Sequence, residues 1–226
     1  MVTWSPDTNI FFDVTGEVLS TDATETVLRL QIDATDGFAR TGVVHTARGS
    51  FRTPCFMPVG TRAAVRTLTS ADLEKLGAEV ILGNTYHLML KPGADLIDRF
   101  GGLHGFADWH GHVLTDSGGF QIFSLEPKVN DEGAKFKSTY DGSYHHLSPE
   151  GSVEVQQKLG SDIQMVLDVC PPLPSTEAVV RAALERSVLW AGRAKAAQEQ
   201  DSEAASAKIS SRNLWTTISR TISIQA

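Results

Sequence analysis

The sequence predicts an α/β fold built around a parallel sheet, and three observations carry that prediction. Short apolar segments recur with helix-like stretches between them. Glycines and capping residues mark the boundaries. Residues 176–200 place Val179, Ala183, Leu184, Val188 and Ala191 at near-helical spacing. Strands that alternate with helices pair in parallel through right-handed crossovers, which leaves an open doubly wound sheet or a barrel. Four such units do not close a barrel.

Residues 27–32 alternate imperfectly, Asp36 and Gly37 supply a turn, and residues 42–46 follow, so short strands around turns open the chain. FMPVG at 56–60 is an apolar segment ending in glycine. Residues 68–76 read as a helix capped by Thr69 or Ser70, and VILGN at 80–84 repeats the strand signal. Residues 94–100 form a helix stopped by Gly101 and Gly102, and HVLTDSGG at 112–119 is a third strand running into a glycine turn. Polar turns at 130–133 and 141–143 divide residues 120–147 into a hairpin inserted after that strand. Ser148, Pro149 and Glu150 start a helix with its body at 153–159 and its stop at Gly160. IQMVLDVC at 163–170 is the fourth strand, and a proline-rich turn at 171–174 leads into the helix at 176–200. The segment 201–226 has nine serines or threonines, no glycine and no proline, and only a weak strand-like stretch near its end.

With 226 residues, 41% hydrophobic and 21% charged, the chain supports one large domain or two small ones. Its formal charge of -7 argues against binding nucleic acid by whole-surface attraction but leaves local positive patches open. Cys55 and Cys170 are its two cysteines, too few for a disulfide scaffold or a four-cysteine zinc site, so a reducing compartment is the default. Residues 1–13 carry no signal-peptide pattern, and no apolar run approaches the roughly 20 residues that span a bilayer. The expectation is a soluble, cytoplasmic protein without membrane association.

Two carboxylates stand out. Asp116 in LTDSGG and Asp168 in MVLDVC each end an apolar strand, where an α/β fold opens its ligand crevice, and glycines beside Asp116 let backbone amides approach a substrate. Turn capping is the bland alternative for Asp116. Paired carboxylates can run acid and base chemistry, as in a glycosidase, or accept the adjacent N–H donors of a purine edge. Residues 84–87, NTYH, follow the second strand onto the same rim, where Tyr86 can position a ring and His87 is a structural histidine or a titrating one. Arg62, Arg66 and Lys91 are either rim phosphate contacts or solvated surface. Cys170 packs beside the pocket, and the adjacent His145 and His146 point to opposite faces of a strand, which speaks against a metal. No phosphate-binding glycine motif is present.

FMPVGT at 56–61, GNTYHL at 83–88, TDSGGFQIFSL at 115–125, LSPEGS at 147–152 and DVCPP at 168–172 together resemble tRNA-guanine transglycosylase, the queuine tRNA-ribosyltransferase family, in its bacterial form. The likeness covers roughly residues 28–197. It implies a modified (β/α)8 TIM barrel, with residues 1–55 as a strand-rich N-terminal segment, 56–200 as the first half of the barrel and 201–226 as an atypical tail.

The resemblance further implies exchange of the wobble guanine of tRNA for a 7-deazaguanine base, queuine or its precursor preQ1, without NAD or ATP. Asp116 then recognises the base and serves as proton acceptor, and Asp168 grips the same heterocycle. Ser117, Gly118, Gly119 and Phe120 belong to the pocket, Cys170 lines it, and Gln121 supports it. Val169 replaces the glutamate of many bacterial members, a change that bears on base preference. The family continues into a second barrel half with a nucleophilic aspartate that attacks ribose C1′ and a Cys-Cys-Cys-His structural zinc site. None of these motifs is matched here. The expectations are therefore a truncated chain covering the N-terminal half, inactive alone, with no cofactor of its own and its tRNA partner inherited from a family that forms homodimers. A noncatalytic tRNA- or purine-binding subunit is the alternative, and a glycosidase a remote one.

Overall fold

The computed structural model describes residues 28–206. The expectations for residues 1–27 and 207–226 lie outside the described residues. The chain divides into two compact units, one ending at Thr53 and one starting at Pro54.

The first unit is an antiparallel meander of β1 (Arg29–Asp36), β2 (Ala39–Thr46) and β3 (Gly49–Thr53), in the order β1-β2-β3. Gly37, with φ +56°, makes the first turn, and the β1–β2 register shifts between Ile32 and Ala34, a bulge that bends the strand.

The second unit contains β4 (Val59–Gly60), α1 (Ser70–Lys75), β5 (Val80–Gly83), α2 (Thr85–Leu90), α3 (Ala94–Arg99), α4 (Gly102–Ala107), β6 (His112–Thr115) and α5 (Gly119–Phe123). It continues with β7 (Lys128–Asn130), β8 (Gly133–Lys137), β9 (Tyr144–Leu147), α6 (Pro149–Leu159), β10 (Ile163–Gln164) and α7 (Glu177–Ser206). Four strands pair in parallel in the order β10-β6-β5-β4. That order advances in one direction without the reversal of a doubly wound sheet, so of the two architectures the sequence allowed, the sheet is part of a barrel.

Local chemistry explains the boundaries. Thr69 caps α1 in a reciprocal box, its hydroxyl accepting from Asp72 N at 3.1 Å while Asp72 accepts from Thr69 N at 2.9 Å. Ser148 caps α6 with Pro149 in its first turn, and Gly160 closes it in the left-handed region at φ +69°. The helix-facing side of the sheet places Ile81 and Val113 against Leu73, Leu88, Ile97, Leu103, Trp109 and Leu159, all buried. On the opposite face Leu82 and Leu114 are half-buried and Val59 is 54% exposed.

Several elements differ from the sequence expectation. The stretch 163–170 pairs for only two residues, because its neighbour β6 ends at Thr115. Beyond that point buried Gln156 takes over, accepting from Met165 N at 3.0 Å and donating to Met165 O at 2.9 Å. The glycines at 101 and 102 both stop α3 and start α4. Helices α2 and α5, like α4, were not expected.

The insertion after β6 and α5 is a three-stranded antiparallel sheet, β7-β8-β9. Its inner face puts Ala134, Phe136 and Leu147 against Tyr86, Ile122, Leu167 and Trp190. Its first turn is tied down by α7. Arg186 Nε donates to Asp131 Oδ1 at 2.9 Å, Trp190 Nε1 donates to Asp131 O at 2.9 Å, and Arg193 donates to the carbonyls of Asp131 and Glu132 while gripping Glu150 of α6 through two bonds of 2.6 and 2.7 Å.

Helices α4 and α6 approach closely at Gly102, where φ is +79° and a Cβ would lie 2.9 Å from Leu159 O and 3.1 Å from the Cα of Gly160. Gly102→Ala combines backbone strain with this clash and lowers unfolding free energy by about 1–3 kcal/mol. Urea denaturation of the two proteins measures the difference.

Candidate active site

The parallel register decides which side chains meet. Gly83 at the end of β5 lies opposite Thr115 at the end of β6, so the next residues, Asn84 and Asp116, leave adjacent strands side by side. Gly83 sits in a tight spot, where a Cβ would come within 3.2 Å of the Leu103 side chain and 3.3 Å of that of Thr115.

Three donors hold the Asp116 carboxyl. Asn84 Nδ2 donates to Oδ2 at 2.6 Å, Thr85 N donates to Oδ1 at 2.9 Å, and Gly118 N donates to Oδ1 at 3.0 Å. Thr85 Oγ1 also donates to the Asp116 carbonyl. Asn84 is itself the cap of α2, accepting from His87 N at 3.1 Å, so one side chain fixes both the helix start and the carboxyl. Gly118 reaches its position with φ +78°, where a Cβ would stand 3.1 Å from Tyr86 N. Burial raises the Asp116 pKa to about 6 against the pull of the backbone donors from Thr85 and Gly118.

Asp168 comes to the other side of the same turn. Its Oδ1 lies 3.3 Å, and its carbonyl oxygen 3.1 Å, from where a Cβ on Gly119 would sit. The two carboxylates therefore bracket Ser117-Gly118-Gly119, one bonded to the amide of Gly118 and the other packed on the bare face of Gly119. Ser117 is buried, its hydroxyl accepting from Gly119 N at 3.2 Å and its carbonyl accepting from Ser152 Oγ at 3.3 Å. Phe120, the second residue of α5, is 73% exposed, leaving an aromatic face free beside the turn. Gln121 Oε1 is buried without a hydrogen-bond partner among the described residues.

Cys170 Sγ donates to Asp168 Oδ2 at 3.6 Å. Burial first, and then the Asp168 charge, push this thiol up to about 12, so it stays protonated at neutral pH and is no nucleophile. Tyr86 is buried against Phe136, with ring centroids 5.7 Å apart and its hydroxyl 3.0 Å from Thr139 Oγ1, which removes it as an exposed ring platform. His87 Nδ1 lies 2.8 Å from Tyr140 OH, and burial together with the Arg62 charge holds the histidine below its usual value. Arg62 in turn sits 5.2 Å from the centre of the Tyr140 ring. His145 stacks on Phe136 while His146 lies exposed on the other face. Among the described residues no group of three or more His, Cys, Asp or Glu is disposed to hold a metal, and no helix is long and apolar enough to cross a membrane.

The structure brings together Asp116, Asp168 and the glycine turn that the sequence singles out, and adds the clamp by Asn84 and Thr85, which the sequence places only on the same rim. The signal available was Asn84 itself, a capping residue directly after the strand segment VILG.

A parallel barrel sheet that delivers carboxylates from neighbouring strand ends onto a glycine turn has the construction of an α/β-barrel enzyme site. The family is defined by comparison: the model for Queuine tRNA-ribosyltransferase matches residues 34–214, and the chain belongs to that family. It is 52% identical over 169 residues to the queuine tRNA-ribosyltransferase of Cereibacter sphaeroides, covering 74% of this chain and 45% of that protein. Against that of Ruegeria sp. it is 50% identical over 173 residues, 76% of this chain and 46% of the relative. The Staphylococcus epidermidis protein is 50% identical over 169 residues, with coverage of 74% and 45%. The chain thus spans under half the length of the curated relatives it matches.

The raised Asp116 pKa has a definite consequence for stability. A carboxyl whose folded value, about 6, exceeds its unfolded value, near 3.8, binds more protons folded than unfolded between those limits. Its contribution is full below about pH 4 and is lost as pH rises to about 6. Asp116→Asn removes that component, so the difference in melting temperature between variant and parent shifts in favour of the variant from pH 4 to pH 7. A difference that does not change with pH contradicts the assignment.

Proposed function

We propose that this chain carries the base-recognition part of a tRNA guanine-exchange site, binding a 7-deazaguanine such as preQ1 or queuine, with tRNA as the macromolecular partner. The observation that supports this reading best is the bracketing of one glycine turn by Asp116 and Asp168. A flat heterocycle with adjacent N–H donors suits two acceptors aimed from neighbouring strand ends, and exposed Phe120 offers it a stacking face.

In this reading Asp116 is the proton acceptor. With a pKa of about 6 it is mostly ionised at neutral pH, yet basic enough to take a ring proton. Asn84, Thr85 and Gly118 hold it in place, and the substrate N–H groups compete with these donors when the base arrives. Asp168 grips the same ring, and the protonated Cys170 thiol steadies it by donating to Oδ2. Val169, beside it, bears on the choice between preQ1 and queuine.

Exchange itself also requires a nucleophile at ribose C1′, for which this sequence has no match to the family motif. These 226 residues on their own are expected to bind the base without exchanging it. Calorimetry with preQ1 tests the first half: saturable binding, weakened at least tenfold by Asp168→Ala, is expected, and no binding by folded protein counts against the reading. Incubation with labelled guanine and cognate tRNA tests the second, where incorporation above background would overturn the requirement for a further nucleophile.

A further inference from the structure

The insertion sheet has a solvent face that nothing above explains. Alternation along β7, β8 and β9 sends Ala134, Phe136 and Leu147 into the core and leaves Lys128, Asn130, Lys135, Lys137, Tyr144 and His146 exposed on the other side. No aspartate or glutamate occupies a strand position on that face, although the chain as a whole carries a charge of -7.

The arrangement is unfavourable for folding alone. Lys128 stands directly across from Lys135 in the β7–β8 register, and like charges in a cross-strand pair repel. Lys137 follows Lys135 by two residues on the same face, about 7 Å along the strand. Tyr144, opposite Lys137, is 70% exposed, and Lys135 Nζ lies 5.5 Å from its ring centre. Cations at single-strand phosphate spacing around an exposed aromatic ring are what a sheet surface needs to hold an RNA strand, through its backbone charge and one stacked base.

We propose that this face is an RNA-docking surface, taking the phosphate backbone of the tRNA next to the exchanged nucleotide. The identity of the RNA rests on the proposed function; the charge argument stands without it. The same insertion reaches the rim of the candidate active site through Thr139 and Tyr140, which contact Tyr86 and His87 of α2. RNA held on the sheet is thereby coupled to the helix that clamps Asp116.

Fluorescence anisotropy of a labelled cognate anticodon stem-loop, measured against salt, tests the proposal on the 226-residue protein. Three variants are compared: Lys128→Glu/Lys135→Glu/Lys137→Glu, the matching triple Gln variant, and Tyr144→Ala. All are exposed positions, and thermal melting verifies folding. The charge-reversed variant is expected to bind at least tenfold more weakly, with the slope of log affinity against log salt reduced by about 2–3. The Gln variant falls between it and the parent, Tyr144→Ala weakens binding several-fold, and preQ1 binding is unchanged. RNA affinity and salt slope equal to the parent's in the charge-reversed variant overturn the surface while leaving the tRNA reading intact. A parent protein that binds preQ1 but shows no salt-dependent RNA binding also overturns it and leaves only base recognition. Equal losses toward heparin with no effect of Tyr144→Ala mark a general polyanion surface and overturn the RNA assignment.

Discussion

The site depends on one constraint, the alignment of β5 and β6 at their C-terminal ends. With Gly83 opposite Thr115, the residues that follow leave the sheet side by side, and Asn84 donates to the Asp116 carboxyl at 2.6 Å. A slip of one residue would reverse the faces of the strand and separate the pair. The same alignment lets the first turn of α2 supply a backbone donor through Thr85, so strand register, helix cap and carboxyl orientation form a single arrangement.

Opposing electrostatic effects act on that carboxyl. Loss of water raises its pKa, the amides of Thr85 and Gly118 lower it, and desolvation prevails. The result is a group with a pKa of about 6 held still by three donors. Cys170 is governed by the same physics in another direction, since burial and the neighbouring Asp168 keep its proton in place. The thiol is thereby a hydrogen-bond donor within the site, consistent with lining a pocket and inconsistent with attacking a substrate.

Much of this was legible in the amino-acid order, for reasons that are local. Thr69, Ser148 and Gly160 act within one turn of their own position, so their roles as caps and stop could be read directly. LTDSGG announced its own turn. What escaped notice depends on contacts distant in sequence. Helices α2, α4 and α5 are five or six residues long, α4 and α5 start at glycines without the side-chain cap that Thr69 gives the equally short α1, and α2 is buried on several sides. The fourth strand is shorter than its apolar run, because those residues continue inward after its partner has ended. The arginines of the last helix were visible, but their hold on the Asp131 turn, 55 to 62 positions away, was not. The long motifs that resemble the family compensated for this, since they carry the site residues as a set.

The insertion sheet joins the parts of the second unit that the barrel strands leave separate. One of its turns is fastened to α7, another meets α2 beside the Asp116 clamp, and its inner face completes the core around Trp190 and Tyr86. The account therefore stands or falls on the state of one carboxyl within that framework. A pH titration of the side-chain carboxyl carbon of Asp116 by 13C NMR, assigned by comparison with Asp116→Asn, measures it directly. A midpoint near 6 is the result the clamped, desolvated geometry requires; a midpoint near 4, the value of a freely hydrated aspartate, would contradict it.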